Sequence, residues 1–141
     1  MRLTLLAGLL LVTLAGCGSE SASLVPVEGI IKINGQPAAD LGIQFNPIDN
    51  KGNTIKSSTG QSDAQGKFTL LYGPEKPGAV VGRHKVTIWD NRMSEDEGTK
   101  PGSRPAQPNR IPKEYLDIST TPIEIEVTAD KKEYVVEVGK K

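Results

Sequence analysis

The chain has 141 residues, with 17 basic and 17 acidic side chains, one histidine and one cysteine. A chain of this length is expected to form one domain around one core. Binding to nucleic acid relies on basic side chains that neutralise phosphates, so a formal charge of zero without a long basic run argues against a nucleic-acid partner. A single cysteine cannot form a disulfide within the chain, so packing alone must stabilise the fold.

The first residues have the pattern of an export signal. Arg2 gives a positive start, and residues 3–14 follow without a charge. This run is shorter than the roughly 20 apolar residues that a membrane-spanning helix needs. A positive start, an apolar run and small residues before a cleavage point are typical of a signal peptide. We therefore expect the chain to be exported and residues 1–16 to be removed.

The cysteine directly follows this segment. Leu14-Ala15-Gly16-Cys17 resembles the bacterial lipobox, which implies that the Cys17 sulfur carries a diacylglyceryl group and that the new amino terminus is acylated. Two or more acyl chains anchor a protein stably, whereas one holds it only marginally. We expect an exported lipoprotein held at the membrane of the bacterial cell envelope, with residues 17–24 as lipidated terminus and flexible tether. The alternative is a plain signal peptide with an unrelated cysteine beside the cleavage point.

Beyond the tether, apolar residues recur at every second position, which is the period of a half-buried strand. The alternating sets are Val25, Val27, Ile31 and Ile33; Ile43 and Phe45; Phe68, Leu70 and Tyr72; His84, Val86 and Ile88; Ile123, Ile125 and Val127; and Tyr134, Val136 and Val138. A weaker polar strand at residues 54–60 makes seven, and no helix is expected. Asn34-Gly35 predicts a two-residue hairpin, and residues 63–66 predict a turn with Gly66 at positive φ. These features predict an all-β sandwich over residues 25–141.

Two of the turn segments carry a family resemblance. Residues 27–37 (VEGIIKINGQP) and 62–68 (SDAQGKF) are similar to hairpins of carboxypeptidase regulatory-like domains. Residues 82–88 resemble the strand that usually follows in that family. Residues 111–115 with 121–127 resemble the closing part of small planctomycete-type lipoproteins. The resemblance implies a seven-stranded Greek-key β-sandwich of the transthyretin-like type. Because these motifs are mostly turn chemistry, they point to a fold and not to an activity.

Catalysis by a Ser-His-Asp or Cys-His site needs a histidine base, and His84 is the only candidate. His84 alternates with Val86 and Ile88, which predicts a core histidine. An acylated Cys17 would be neither a nucleophile nor a metal ligand, and one histidine without cysteine argues against zinc binding. The transthyretin fold includes 5-hydroxyisourate hydrolase, but that family ends in Tyr-Arg-Gly-Ser, whereas this chain ends in residues 138–141, VGKK. We predict no enzyme activity, no cofactor and no metal.

Residues 91–110 form the least sandwich-like stretch, since Met93 and Ala106 are its only apolar side chains apart from proline. A loop of this length is usually functional or disordered, so a partner-docking loop and a disordered insertion both remain open. Its acidic run, residues 94–97, is either solvated or an ion-binding site. Tyr115 is expected to anchor the return of the chain from this loop.

Trp89 is the only tryptophan and lies at the end of a predicted strand. Alternation places it opposite Val86, on the face of Lys85 and Thr87. There it either covers the edge of the core or offers an exposed platform for a sugar ring. Three hypotheses follow. The first is a non-catalytic structural or protein-interaction module of the cell envelope, the second is a glycan-binding module using Trp89, and the third is a hydrolase in which His84 lines a cleft.

Overall fold

A computed structural model describes residues 23–48, 55–93 and 108–139. This part of the chain is all-β, with two short 3-10 helices and no α-helix. The strands are β1 (Leu24–Val25), β2 (Glu28–Ile33), β3 (Gln36–Pro37), β4 (Leu41–Pro47), β5 (Ser58–Gln61), β6 (Lys67–Thr69), β7 (Leu71–Tyr72), β8 (Lys76–Pro77), β9 (Ala79–Val80), β10 (Gly82–Asp90), β11 (Glu124–Val127) and β12 (Glu133–Val138). The 3-10 helices are Asn91–Met93 and Lys113–Leu116.

The strands form two larger sheets and one small ribbon. The six-stranded sheet has the order β11-β10-β4-β5-β7-β8, and every neighbouring pair in it is antiparallel. The second sheet has β2 at its centre, with β12 parallel to it on one side and β3 and β6 antiparallel to it on the other. Strands β1 and β9 form the two-stranded ribbon. The all-β prediction is therefore confirmed.

The core lies where the inner faces of the two larger sheets meet. The Phe45 ring on β4 lies 6.3 Å from the Phe68 ring on β6 and 6.4 Å from the Tyr134 ring on β12, centroid to centroid. The largest fully buried side chains are those of Phe45, Ile31, Leu41, Ile43, Leu70, Ile88, His84, Val27, Val86, Val127, Val136 and Val138. Burying each large apolar side chain contributes about 1.5–3 kcal/mol, so these inner rows provide most of the stabilisation of the fold.

Both predicted turns have the expected backbone. Asn34 and Gly35 have φ of 51° and 84° between β2 and β3, as a two-residue hairpin requires. Gly66 has a φ of 75°. The Asp63 carboxylate accepts hydrogen bonds from the backbone N–H groups of Gln65 and Lys67, both at 2.9 Å. The side chain of Asp63 therefore closes the turn before β6.

The structure divides the chain into more strands than the seven predicted. Residues 67–72, expected to be one strand, are split at Leu70, because β6 pairs with β2 while β7 pairs with β5 in the other sheet. The weak strand expected at residues 54–60 begins at Ser58. Several added strands contain only two residues, which is too short for any periodicity in the sequence.

Candidate functional site

Trp89 lies at the carboxyl end of β10, directly opposite Gly42 of β4. A Cβ atom added to Gly42 would lie 2.0 Å from Cε2 and 2.3 Å from Nε1 of the indole. The ring therefore occupies the space that any larger residue at position 42 would need. Trp89 is half-buried, and it faces away from the core side chain Val86, as alternation predicts. The indole covers the backbone of β4 and keeps part of its surface in solvent.

Several side chains that share this sheet face with Trp89 are polar, whereas Leu71 of β7, opposite Thr59, is apolar and exposed. In the strand register, Gln44 of β4 lies between Thr87 of β10 and Thr59 of β5, while Gln61 lies beside Gly42. Amide and hydroxyl groups beside an aromatic ring are the chemistry that sugar recognition uses, because the ring stacks on C–H groups and the polar groups bind hydroxyls. The arrangement places an aromatic ring and the exposed groups of Thr59 and Gln61 on one surface, whereas Thr87 is buried.

A hydrogen-bond network supports this polar face from within the sheet. The Asn46 amide donates to the Lys85 carbonyl oxygen at 3.2 Å and to Thr87 Oγ1 at 3.3 Å. Its Oδ1 accepts a hydrogen bond from Ser57 Oγ at 2.8 Å. Asn46 and Thr87 are both buried, so these hydrogen bonds compensate for the loss of water and hold the face in one conformation.

His84, the only histidine, lies in the core as the sequence predicts, with 1% of its surface exposed. Its ring centroid lies 5.8 Å from that of Phe45. Nδ1 lies 2.9 Å from the Gly82 carbonyl oxygen, and because a carbonyl only accepts, Nδ1 carries the proton in this contact. The imidazole thus packs inside the protein and does not line an open cleft in this conformation.

Asp90 joins the two ends of the long loop. Its carboxylate is fully buried and accepts hydrogen bonds from Arg92, with Nε to Oδ1 at 3.0 Å and Nη2 to Oδ2 at 2.8 Å. Arg110, at the other end, donates from Nε to Oδ2 and from Nη2 to Oδ1, both at 2.9 Å. Arg110 Nη2 also donates to the Ala39 carbonyl oxygen at 2.8 Å. We refer to Asp90, Arg92 and Arg110 as the loop clamp.

The loop clamp determines the charge state of its carboxyl group. Burial alone raises the pKa of Asp90, but hydrogen bonds from Arg110 and Arg92 and the charge of Arg110 lower it by more. The net result is a pKa of Asp90 well below the ordinary 3.8. The hydrogen bond to Asp90 correspondingly raises the pKa of Arg92. The clamp is therefore an ionised group at every pH at which a protein normally works.

The clamp lies at the two ends of the predicted loop. The sequence predicts one loop over residues 91–110; residues 91–93 form a 3-10 helix, and Arg92 and Arg110 bind a buried carboxylate. Tyr115 does anchor the returning chain: it is buried, and its hydroxyl accepts a hydrogen bond from Gly139 N–H at 3.2 Å. Sequence spacing did not reveal the clamp, because its members are separated by 2 and 20 positions and follow no period.

The part of the chain that the structure describes contains no group of three His, Cys, Asp or Glu side chains that could hold a metal ion. The acidic run at residues 94–97 and the proposed lipid-bearing Cys17 lie outside the described residues. Within residues 23–48, 55–93 and 108–139, no helix is long and apolar enough to cross a membrane.

Comparison of the chain with protein-family models, with curated proteins and with solved structures finds no match. The functional argument therefore rests on the residues of this chain and on their geometry.

Proposed function

We propose that this chain is an exported lipoprotein of the bacterial cell envelope whose β domain is a non-catalytic structural or protein-interaction module. The anchor in this proposal is Cys17 in its lipobox-like sequence, and the membrane is its first partner. The observation that carries the non-catalytic part is the burial of His84 against Phe45. The only imidazole available for acid–base chemistry is packed in the core, where it stabilises the fold.

We also propose that the domain is a Greek-key β-sandwich of the carboxypeptidase regulatory-like, transthyretin-like type. Two observations support this. Phe45 of the six-stranded sheet contacts Phe68 and Tyr134 of the other sheet, as facing layers require. The turn segments that carry the family resemblance adopt the hairpin conformations expected of them, with positive φ at Gly35 and Gly66.

The anchor is tested by Cys17→Ser in the expressing bacterium. We expect the wild-type protein to enter the detergent phase and the variant to enter the aqueous phase or to stay unprocessed, because it has no sulfur to acylate. Ser19→Ala, two residues further along, is the matched control and should partition as wild type. An unchanged partition of Cys17→Ser would overturn the lipoprotein assignment. Crosslinking of the lipidated protein in its own membranes, followed by pull-down, then tests for a protein partner.

Glycan binding is the second candidate, and the position of Trp89 favours it. The indole is held against Gly42 on a face of glutamine and threonine side chains and is partly open to solvent. Because the chain has one tryptophan, its emission reports directly on this face. We expect envelope oligosaccharides to change that emission saturably and Trp89→Ala to lose binding measured calorimetrically. Unchanged emission across peptidoglycan and polysaccharide fragments would exclude this function.

The hydrolase alternative has no comparable support. It requires His84 to line a cleft beside a second titratable group. The imidazole instead packs against Phe45 with 1% of its surface exposed.

A further inference from the structure

Strand β12 is an edge strand, since it ends its sheet and pairs only with β2. Glu28 N–H donates to the Lys132 carbonyl at 2.9 Å, and Asn34 N–H donates to the Val138 carbonyl at 3.0 Å. In a parallel ladder the backbone groups of alternate residues face the neighbouring strand. The N–H and C=O groups of residues 133, 135 and 137 therefore point away from β2. No described residue hydrogen-bonds to them.

The middle of this edge is apolar and open. Val135 is 63% exposed, and its partner across the ladder, Ile30, is half-buried on the same outer face. Natural sheets commonly protect an exposed edge by placing a charge or a proline on it. Here the charges, Glu133 and Glu137, lie on either side of the valine. The outer face of the edge thus reads acidic, apolar, acidic at successive outward positions. Glu137 differs from Glu133 because it lies opposite Lys32 and accepts a hydrogen bond from Gly35 N–H.

The groove beside Val135 has an excess of negative charge. It encloses about 800 Å³, and its titratable lining includes the carboxylates of Glu28, Glu133 and Asp63 and the amine of Lys67. Glu133 lies directly opposite Glu28, an arrangement that destabilises a sheet unless something offsets the repulsion. Within the described ranges, no cation lies within 4.0 Å of either carboxylate.

We infer that the β12 edge binds an extended basic segment of a partner protein, which adds to the sheet as a further strand. Main-chain hydrogen bonds to residues 133, 135 and 137 supply affinity, and alternate side chains supply specificity. On the outer face, the segment places a basic side chain beside Glu133, an aliphatic one beside Val135 and a basic one beside Glu137. The recognised pattern is therefore basic-x-aliphatic-x-basic. This inference rests on the proposed interaction function and names its site and partner chemistry.

A second copy of this chain is disfavoured at this edge in the register centred on Val135. Antiparallel pairing centred on Val135 would place Glu133 of one copy opposite Glu137 of the other. Like charges in directly opposed positions are unfavourable, so the pattern selects against self-pairing in this register and for a basic partner.

The test uses the full-length protein in a non-ionic detergent and a fluorescein-labelled peptide, GTKTVTKTG, followed by fluorescence anisotropy. We expect saturable binding that weakens as salt rises, because exposed charges are screened. The acidic peptide GTETVTETG should bind at least about tenfold more weakly, since each lysine–glutamate attraction becomes a repulsion. Equal binding of the two peptides, or no binding of the basic one, overturns the inference. Concentration-dependent dimerisation of the protein through β12 would also overturn it.

Variants and modified peptides locate the site. Glu133→Lys should weaken binding of the basic peptide about fivefold and strengthen binding of the acidic peptide. Glu114→Lys, the same change at an exposed position of the second 3-10 helix, should alter the binding of neither peptide. N-methylation of alternate peptide amides should abolish binding for one set of positions and spare the other, because only one set faces β12. Equal effects of the two sets would exclude strand addition. This test leaves the protein itself unchanged.

These results separate the inference from the function it rests on. The peptide titration does not depend on Cys17. It can therefore be interpreted even if the partition of Cys17→Ser shows that the protein carries no lipid anchor. If crosslinking captures a partner in native membranes but the basic peptide does not bind, the interaction function stands and the β12 site is wrong.

Discussion

The carboxylate of Asp90 and the guanidinium of Arg110 meet in two parallel hydrogen bonds of 2.9 Å, although 20 positions separate them in the chain. Bidentate pairing of this kind is stronger and more directional than a single charged contact. Asp90 ends the longest strand, β10, while Arg110 begins the return toward the buried Tyr115. The pair therefore closes the base of the long loop against the six-stranded sheet.

Removing the charge of Asp90 should destabilise the protein. Asp90→Asn keeps the shape but removes the carboxylate that Arg92 and Arg110 share, and we expect the free energy of unfolding to fall by about 2–4 kcal/mol. Urea denaturation of the full-length protein measures this. Glu114→Gln is the matched control, because it removes one charge from an exposed side chain that lies outside the clamp. A loss no larger than that of the control would show that the clamp adds no stability.

The clamp also predicts a dependence on pH. The pKa of Asp90 lies below 3.8 in the folded protein, because the Arg110 and Arg92 hydrogen bonds outweigh the effect of burial. Its stabilisation is therefore complete above the unfolded pKa and is lost as the pH falls through the folded pKa. Below about pH 4 the wild type should lose stability more steeply than Asp90→Asn. Parallel curves for the two proteins in acid would contradict this linkage.

The effect of shortening the loop on the melting temperature should depend on whether the two arginines of the clamp are kept. Replacing residues 94–107 by a short glycine–serine linker keeps Arg92 and Arg110, so we expect a melting temperature close to that of the wild type. Replacing residues 91–110 removes both arginines and leaves the buried carboxylate of Asp90 without them, so this variant should melt much lower. Circular dichroism melts compare the two. Equal melting temperatures would show that the clamp is dispensable.

Gly66 should not tolerate a side chain. Its φ is 75°, and an added Cβ would lie 2.9 Å from both the Ala38 nitrogen and the Ile31 carbonyl oxygen. Gly66→Val should therefore destabilise the protein by more than about 1 kcal/mol. Gly73→Val is the matched control, because Gly73 has a φ of 64° with nothing within 4 Å of the added Cβ. The difference in destabilisation between Gly66→Val and Gly73→Val measures the cost of the steric clash at Gly66. Equal destabilisation of the two variants would exclude such a clash.

Gly42 should control the position of Trp89. A methyl group at position 42 would occupy the space of the indole, so Gly42→Ala should displace the ring toward solvent and destabilise the protein by about 1–3 kcal/mol. The emission of the single tryptophan should shift to longer wavelength, with stronger quenching by acrylamide. Gly35→Ala, where an added Cβ meets nothing within 4 Å, should leave the emission unchanged. An unshifted emission of Gly42→Ala would contradict the packing.

Local features were predictable because they depend on near neighbours in the chain. Alternation placed His84, Val86 and Ile88 toward the core and Trp89 on the opposite face, since successive strand residues must point to opposite sides. The turns at residues 34–35 and 63–66 followed from the backbone freedom of glycine and the short side chains of Asn and Asp. No interaction with distant parts of the chain is needed for either prediction.

Features that depend on contacts between distant segments appeared only in the folded chain. The break at Leu70 follows from β6 and β7 pairing in different sheets, and nothing in the local pattern marks it. The bond between Asp90 and Arg110 depends on where two distant residues meet in space. The exposure of Val135 depends on β12 ending its sheet, because alternation alone puts Val135 on the outer face but does not say whether another strand lies beside it. Pairing order is a property of the whole chain, whereas period and turn type are properties of a few residues.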